Sequence, residues 1–291
     1  MNKFFNYIKL TRINQPTGIF LLYLPCLYGM FLNFTVSQEI TWENLFKISL
    51  LFFVGSVLMR SAGCIVNDLL DQKIDQKIFR TKDRPIASKK VSNFEAILIL
   101  VVLLALAFFI LTRFNNITIL SGFFSLILVI LYPLMKRIIN LPQLFLGFTF
   151  NYGIIMSSLA LTSKIIYPIW IFYIACILWT IIYDTIYGFQ DIKDDLKVGV
   201  KSSSIVIHKK FHNNSKLILY FLTLLMMICF GLGGYFNSYS NHFFFVIFVA
   251  HLFLIYKIKI CDLKNPYSCF LFFKKNIIFG ILILIAIVIE K

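Results

Sequence analysis

The chain has 291 residues, of which 59% are hydrophobic and only 14% are charged, and its mean hydropathy is +0.85. Soluble globular domains carry about 25% charged residues, so this composition excludes that class and predicts a protein embedded in a membrane. The formal net charge of +15 is compatible with nucleic-acid binding until the positions of the basic residues are considered.

Long apolar segments recur along the whole chain. A membrane-spanning helix needs about 20 predominantly apolar residues. Nine windows of this kind are centred near Leu24, Val54, Val102, Ile127, Ile154, Ile174, Leu225, Phe248 and Ile283. Runs such as 97–109 are apolar on every side, whereas a barrel strand would alternate over about ten residues. The sequence therefore predicts an all-α, multi-spanning membrane helical bundle of about nine helices, formed by residues 1–291 as a single domain.

Basic residues concentrate on one side of this predicted bundle. The N-terminal tail and the loops that connect even-numbered spans to odd-numbered spans hold most of the 28 Lys and Arg residues. The opposite side holds only Lys47, Arg113, Lys164 and Lys291. Because cytoplasmic loops are enriched in Lys and Arg, we expect a cytoplasmic N-terminus and, with nine spans, an outside C-terminus. Topology explains the charge, so neither nucleic acid nor an obligatory protein partner is expected.

Two long loops lie on the basic side, at about 67–93 and about 191–216. Each follows an even-numbered span and begins with an acidic cluster. This arrangement is compatible with two related four-helix halves followed by a ninth helix. Long polar loops in a compact membrane domain commonly carry function, so the active region is expected here, on the cytoplasmic side.

The acidic residues are grouped rather than dispersed. Seven of the 13 lie in the two clusters: Asp68, Asp71, Asp75, Asp184, Asp191, Asp194 and Asp195. Within each cluster, the intervals of three, four or seven residues predict carboxylates on one helical face. Like charges at this spacing repel one another unless a cation binds them. Mg²⁺ prefers oxygen ligands and commonly bridges carboxylates to phosphate, so the clusters predict Mg²⁺ and a phosphorylated substrate.

Basic residues on the same side could neutralise the phosphate oxygens of that substrate. They are Lys73, Arg80, Arg84, Lys136, Arg137 and Lys201. Two other interpretations remain open. The clusters could be solvated helix ends whose acids balance neighbouring cations, or the ion sites of a cation-coupled transporter. Arg60 lies within the second span, where it either reaches the cavity or forms a structural pair.

At these residues the sequence resembles the UbiA-type membrane prenyltransferases. The first motif of that family, NDxxDxxxD, is formed by Asn67, Asp68, Asp71 and Asp75. It is followed by RTKDRPIAS over 80–88. The resemblance covers nearly the whole chain and implies a membrane fold of nine spans.

Two further segments carry the resemblance. YDTIYGFQDIKDDLKVGVKSSSI, over 183–205, corresponds to the second family motif, and YPLMKRIINLPQ, over 132–143, to the segment that connects the motifs. The N-terminal segment RINQPTG departs from the pattern, with Asn14 and Gln15 where Asp and Lys are common. The motifs are most similar to those of members that prenylate 4-hydroxybenzoate.

The resemblance implies Mg²⁺-dependent transfer of a polyprenyl group from polyprenyl diphosphate to 4-hydroxybenzoate. The new bond would form at the ring carbon ortho to the hydroxyl, which is a step of ubiquinone biosynthesis. Another aromatic acceptor, such as 1,4-dihydroxy-2-naphthoate, is an alternative within the family. The prenyl tail would lie in a groove that is open to membrane lipid.

The resemblance also implies residue roles. The metal ligands would be Asn67, Asp68, Asp71, Asp75, Asp191 and Asp195. The diphosphate contacts would be Lys73, Arg80, Arg84, Lys136 and Lys201. Tyr183 and Tyr187 would stabilise the allylic cation with their ring faces. Arg137 would bind the carboxylate of the acceptor, and Asp191 would in addition accept the phenolic proton.

Overall fold

The computed structural model describes residues 3–37, 39–199, 201–211 and 214–291, without the side chains of Lys136, Arg137 and Val198. Every regular element in this part of the chain is helical. The α-helices are α1 (Lys3–Thr11), α2 (Thr17–Val36), α3 (Trp42–Leu70), α4 (Gln72–Asp75), α5 (Asn93–Leu111), α6 (Asn116–Ile138), α7 (Pro142–Asn151), α8 (Gly153–Thr162), α9 (Tyr167–Gly188), α10 (Ile192–Val198), α11 (Ser203–Phe211), α12 (Ser215–Phe236), α13 (Asn241–Ile260) and α14 (Pro266–Val288). A single 3-10 turn, Phe189–Asp191, connects α9 to α10.

Nine helical segments in the described ranges are long and apolar enough to cross a membrane. Each contains one of the nine predicted windows, so the prediction of an all-helical membrane bundle is confirmed. The fifth span consists of α7 and α8, which are separated at Tyr152. The sixth continues from α9 through the 3-10 turn into α10. The two related halves and the single domain stay predictions.

Polar residues set the starts of several spans. The Thr41 side chain accepts a hydrogen bond from the N–H of Asn44 at the start of α3. Ser92 and Glu95 form a reciprocal capping box at the start of α5. Because these side chains satisfy backbone N–H groups that the helix leaves unpaired, they fix where α3 and α5 begin.

Burial separates the centre of the bundle from its rim. Helix α9 lies at the centre, packed against α7, α12 and α14, whereas α5 buries only Ala96. The Trp179 indole N–H donates to Asn276 Oδ1 over 2.9 Å, and the Tyr28 hydroxyl donates to the Gly280 carbonyl over 2.7 Å. Such buried polar contacts fix neighbouring helices, while the exposed apolar face of α5 suits contact with lipid tails.

Candidate active site

A cavity of about 1210 Å³ opens at the end of the bundle that carries both acidic clusters. Its polar end is lined by residues of both clusters, including Asp71, Asp75 and Asp191. Its walls include apolar side chains of α3, α5 and α6, such as Phe52 and Phe108. One cavity therefore combines an ionic end with an apolar interior.

The first cluster lies at the end of α3. The helix closes at Asp71, whose N–H donates to the carbonyl of Asn67 over 2.9 Å. The Asp71 carbonyl then accepts the N–H groups of Ile74 and Asp75, which starts the new turn α4. The N–H groups of Asp71 and Asp75 both keep the four-residue hydrogen-bond spacing of an α-helix, and the predicted common face of the three carboxylates stays a prediction. The carboxylates of Asp68 and Asp75 converge, since Arg84 Nη1 contacts both of them.

Arginines compensate the buried carboxylates of this cluster. Arg84 Nη1 lies 2.7 Å from Asp75 Oδ2 and 3.2 Å from Asp68 Oδ1. Arg12 Nη2 also donates to Asp68 Oδ1. Burial raises the pKa of Asp75, against the opposing effect of Arg84. The cluster is therefore an ionic network in which positive charge offsets the cost of burying two carboxylates.

The backbone at Arg12 is unusual and serves this network. Arg12 has φ +53°, in the left-handed region that residues other than glycine adopt rarely. It connects α1 to α2, and the N–H of Gln15 donates to its carbonyl over 2.9 Å. The turn brings the Arg12 guanidinium to Asp68. Nothing in the charge pattern distinguishes Arg12 from the other basic residues of the N-terminal tail, so sequence reasoning missed it.

Arg80 joins the loop after the first cluster to the second cluster. Its Nε lies 2.8 Å from Asp191 Oδ1 and its Nη2 2.5 Å from Asp191 Oδ2. The guanidinium carbon lies 5.5 Å from the centroid of the Tyr187 ring. Nearby, the N–H of Phe79 donates to Asp194 Oδ2 over 3.1 Å. Asp191 and Tyr187 raise the pKa of Arg80 although burial acts to lower it, so Arg80 stays charged.

The second cluster follows the central helix. Asp184 is in the last turn of α9, Asp191 ends the 3-10 turn, and Asp194 and Asp195 are in the first turn of α10. Like the first cluster, this one is divided between the end of a long helix and the short elements that follow it. Asp184, Asp191 and Asp195 line the cavity. The two clusters, distant in sequence, therefore face one polar space.

The donor chemistry of this space fits Mg²⁺. Carboxylate oxygens and the Asn67 amide oxygen are hard ligands of the kind that Mg²⁺ prefers. Asp68 does not line the cavity, but its Oδ2 is buried without a hydrogen-bond partner, so it is an acceptor that a cation could satisfy. Within the described residues, no three His, Cys, Asp or Glu side chains form a ready metal cluster. Arginines instead contact Asp68, Asp75 and Asp191, so metal binding would require them to move.

The predicted diphosphate-binding lysines differ in their access to the cavity. Lys201 lines the cavity, and its Nζ donates to the carbonyl of Ile138 at the end of α6 over 2.9 Å. Lys73 is exposed and does not line the cavity, because it lies two residues from the inward-facing Asp75 on α4. The Lys136 and Arg137 side chains lie outside the described part of the structure, so their roles stay predictions.

Aromatic rings form part of the wall beside the second cluster. The Tyr187 and Phe273 ring centroids are 4.5 Å apart, and those of Tyr183 and Phe273 are 5.8 Å apart. Tyr183 is almost fully buried, with its ring centroid 5.5 Å from that of Trp179. The predicted pair of tyrosines therefore lies together with Phe273, which sequence reasoning did not identify because it is on the distant helix α14.

Arg60 reaches the cavity from within the second span. Its guanidinium carbon lies 5.2 Å from the centroid of the Phe150 ring, and no ion pair with a described carboxylate involves it. A Cβ at Gly18 would lie 2.5 Å from Arg60 Nε, so glycine is required for this close approach. The sequence signal was present, since arginines inside spans are rare and usually functional.

Comparisons with known proteins agree with this architecture. Residues 22–283 match the UbiA prenyltransferase family. A 4-hydroxybenzoate octaprenyltransferase of Coxiella burnetii is 35% identical over 97% of this chain and 95% of that protein. A mitochondrial 4-hydroxybenzoate polyprenyltransferase of Schizosaccharomyces pombe is 37% identical over 98% of this chain and 79% of that protein.

Solved structures share the fold. A UbiA homolog from Aeropyrum pernix K1 has a TM-score of 0.71 and 21% identity, covering 94% of this chain and 96% of that one. A UbiA homolog from Archaeoglobus fulgidus, bound to GPP and Mg²⁺, has a TM-score of 0.70 and 16% identity, covering 96% of this chain and 99% of that one. At these identities the likeness concerns the fold alone.

Proposed function

Because the chain belongs to the UbiA prenyltransferase family, we propose that it transfers a polyprenyl group from polyprenyl diphosphate to 4-hydroxybenzoate. The new bond forms at the ring carbon ortho to the hydroxyl, in a step of ubiquinone biosynthesis. The observation that carries the proposal is the single cavity in which two carboxylate clusters and several arginines adjoin apolar walls. The ionic end suits a diphosphate and the apolar part suits a prenyl tail.

The metal site of the proposal combines Asn67, Asp68, Asp71 and Asp75 with Asp191 and Asp195. Bound Mg²⁺ would neutralise the charge of the diphosphate leaving group. Arg84 and Arg80 now pair with carboxylates of the two clusters, and they would turn to the diphosphate oxygens when the carboxylates bind metal. The proposed site thus exchanges one set of ion pairs for another, so its net charge stays balanced.

Diphosphate departure leaves an allylic cation, which the aromatic wall would stabilise. The ring faces of Tyr183 and Tyr187 carry negative charge density and adjoin the second cluster, where the diphosphate would lie. Phe273 closes the same wall without offering a nucleophile. Because the interior of the cavity is largely apolar, water is kept from the cation, and the acceptor ring is left as the partner for attack.

The acceptor carries a carboxylate, which requires a cation in the cavity. Arg137 is the residue that the family resemblance suggests. Arg60 is a second candidate, since it faces the cavity and is not paired with any described carboxylate. Asp191, held by Arg80, would accept the phenolic proton once Arg80 turns to the diphosphate. The phenolic oxygen then donates electron density to the ring carbon that forms the new bond. The hydrogen on that carbon leaves as a proton when the ring regains its aromaticity, and the phenolic oxygen takes up a proton in return.

Hydropathy and charge support a location for the protein. The protein is integral to a membrane by its nine apolar helices and its family. We place it in a bacterial inner membrane, with the N-terminus and both acidic clusters on the cytoplasmic side and the C-terminus outside, because Lys and Arg concentrate beside the clusters.

A prenylation assay tests the proposal. Purified protein in lipid vesicles, with Mg²⁺ and a polyprenyl diphosphate, should convert 4-hydroxybenzoate into a prenylated product that mass spectrometry detects. Parallel reactions contain 1,4-dihydroxy-2-naphthoate or no acceptor. Asp191→Asn should abolish turnover, while Asp83→Asn, an exposed carboxylate of the neighbouring loop, should not. Product from the naphthoate alone would reassign the acceptor. No product with any acceptor, together with ion-dependent uptake by the vesicles, would support the transporter interpretation.

A further inference from the structure

Two cysteines lie where α13 ends and α14 begins, at the same end of the bundle as the acidic clusters. Cys261 directly follows the last residue of α13, and Cys269 is in the first turn of α14. Both are buried, with 4% and 0% of their surfaces exposed. Neither belongs to the cavity wall, so the proposed prenyl transfer does not use them.

The turn between the helices brings the two side chains together. The hydrogen bonds of this turn are reciprocal, because each cysteine sulfur contacts the residue that adjoins the other cysteine. The Ser268 hydroxyl donates to Cys261 Sγ over 3.7 Å, and the Cys269 thiol donates to the carbonyl of Asp262 over 3.6 Å. The N–H of Asp262 donates to Ser268 Oγ over 3.0 Å, which closes the turn. The backbone therefore holds the two sulfur atoms beside each other.

The surroundings of Cys261 favour its thiolate. The interaction with Cys269 lowers the pKa of Cys261 from 9.0 to about 7, against the effect of burial. The positive charge of Lys216 acts in the same direction, whereas Asp262 opposes it. Lys216 is held there because its Nζ donates to the carbonyl of Lys259 over 2.8 Å. The thiolate is the form of cysteine that reacts with oxidants.

We propose that Cys261 and Cys269 are a site of reversible oxidation, at which hydrogen peroxide produces an intramolecular disulfide. The Cys261 thiolate attacks a peroxide oxygen, the O–O bond breaks, and the hydroxide that leaves takes up a proton to become water. Cys261 is then a sulfenic acid. The Cys269 sulfur attacks it, the S–S bond forms, and the sulfenic hydroxyl leaves as a second water with the Cys269 proton. Two thiols lose two electrons, and the peroxide gains them.

The pair is distinguished from the rest of the cysteines by this proximity. Cys26, Cys64, Cys176 and Cys229 are on four different helices, α2, α3, α9 and α12. A small oxidant such as hydrogen peroxide can reach a buried pair that a bulky disulfide reagent cannot. Since intracellular disulfides are mostly transient and redox-sensing, a reversible bond is expected here rather than a permanent one.

The disulfide would act beside the proposed active site. Phe270, Phe273 and Lys274 lie just after Cys269 on α14 and line the cavity. A bond from Cys269 to Cys261 would fix this end of α14 to the end of α13. Cross-linking a short loop removes freedom from the unfolded chain, so oxidation should raise the thermal midpoint by roughly 5 °C.

Thiol counting on the full chain tests the inference. The purified protein is treated with dilute hydrogen peroxide, denatured, and labelled with a maleimide mass tag. We expect two of the six thiols to become unavailable, one peptide pair linked through Cys261 and Cys269, and full recovery after dithiothreitol. Cys269→Ser should leave Cys261 as a sulfenic acid that dimedone captures. The matched control Cys229→Ser should lose the same two thiols as the unchanged protein.

Two results would overturn the inference. One is that all six thiols stay available under conditions that oxidise a small free thiol. The other is that the linked peptides, or the dimedone adduct, involve cysteines other than Cys261 and Cys269. The count and the linked peptides come from the unchanged protein, so they decide the question even if a serine variant does not fold. Prenyl transfer is not measured, so the result is independent of the proposed function.

Discussion

Replacing Arg84 by alanine tests whether the first cluster requires a cation. Arg84 Nη1 contacts Asp75 over 2.7 Å and Asp68 over 3.2 Å, and these two residues are only 4% and 1% exposed. In the variant Arg12 still forms an ion pair with Asp68, but Asp75 loses its ion pair. Removing one partner of a buried ion pair costs about 3 to 5 kcal/mol, because the other charge stays buried.

Without metal, Arg84→Ala should therefore lower the Tm by roughly 6 °C or more, since 1 kcal/mol corresponds to about 2 to 4 °C in a chain of this size. Mg²⁺ should restore much of the lost thermal stability, because it binds carboxylates that no longer pair with Arg84. If about 3 kcal/mol is recovered on binding, Mg²⁺ affinity rises by roughly 100-fold relative to the unchanged protein.

Thermal unfolding in detergent, with Mg²⁺ or with EDTA, measures both effects. Lys90→Ala removes an exposed charge from the same loop and serves as the matched control, for which we expect little change. Arg84→Lys keeps the positive charge, so its Tm should lie between those of Arg84→Ala and Lys90→Ala. An Arg84→Ala variant with unchanged Tm in EDTA, or with no greater response to Mg²⁺ than the unchanged protein, would refute the idea that arginine and metal compete for these carboxylates.

Three further outcomes are expected. Gly18→Ala should displace the Arg60 guanidinium and raise KM for 4-hydroxybenzoate roughly tenfold, while Gly231→Ala, which meets no neighbouring atom, should leave KM unchanged; equal KM values for both variants would exclude Arg60 from acceptor binding. Arg80→Ala should speed tryptic cleavage between α4 and α5, and an unchanged cleavage rate would show that Arg80 does not hold this loop. Peroxide oxidation of Cys261 should accelerate as pH rises through about 7, because its pKa is lowered and the thiolate fraction grows with pH; a rate independent of pH between 6 and 8 would contradict the thiolate mechanism.

The nine spans were predictable because each must be apolar along its whole length, a constraint that a single sequence records directly. The residues at which the spans end were not predictable in this way. The turn at Asp71 depends on backbone hydrogen bonds from Ile74 and Asp75, and helical periodicity gave no indication that the helix would close there. An interval of three or four residues is compatible both with one continuous helix and with a helix that ends and is followed by a short one.

The acidic clusters were predictable from spacing and sign, but their partners were not. Arg12 pairs with Asp68, and Arg80 pairs with Asp191, across 56 and 111 positions of sequence respectively. Such pairs depend on how the helices pack, and the composition of the chain does not specify this packing. Phe273 illustrates the same point, since only the packing of α14 against the site distinguishes it from the other 32 of the 33 phenylalanines.

The central claim is that both acidic clusters bind one Mg²⁺-diphosphate. A double-mutant cycle measures it most directly, using the affinity of a non-reactive prenyl diphosphate analogue in the presence of Mg²⁺. Asp71→Asn and Asp191→Asn should each weaken binding strongly, and the double variant should bind little more weakly than either single variant, because each change already disables the shared site. Two additive losses, or analogue binding that does not depend on Mg²⁺, would contradict the claim.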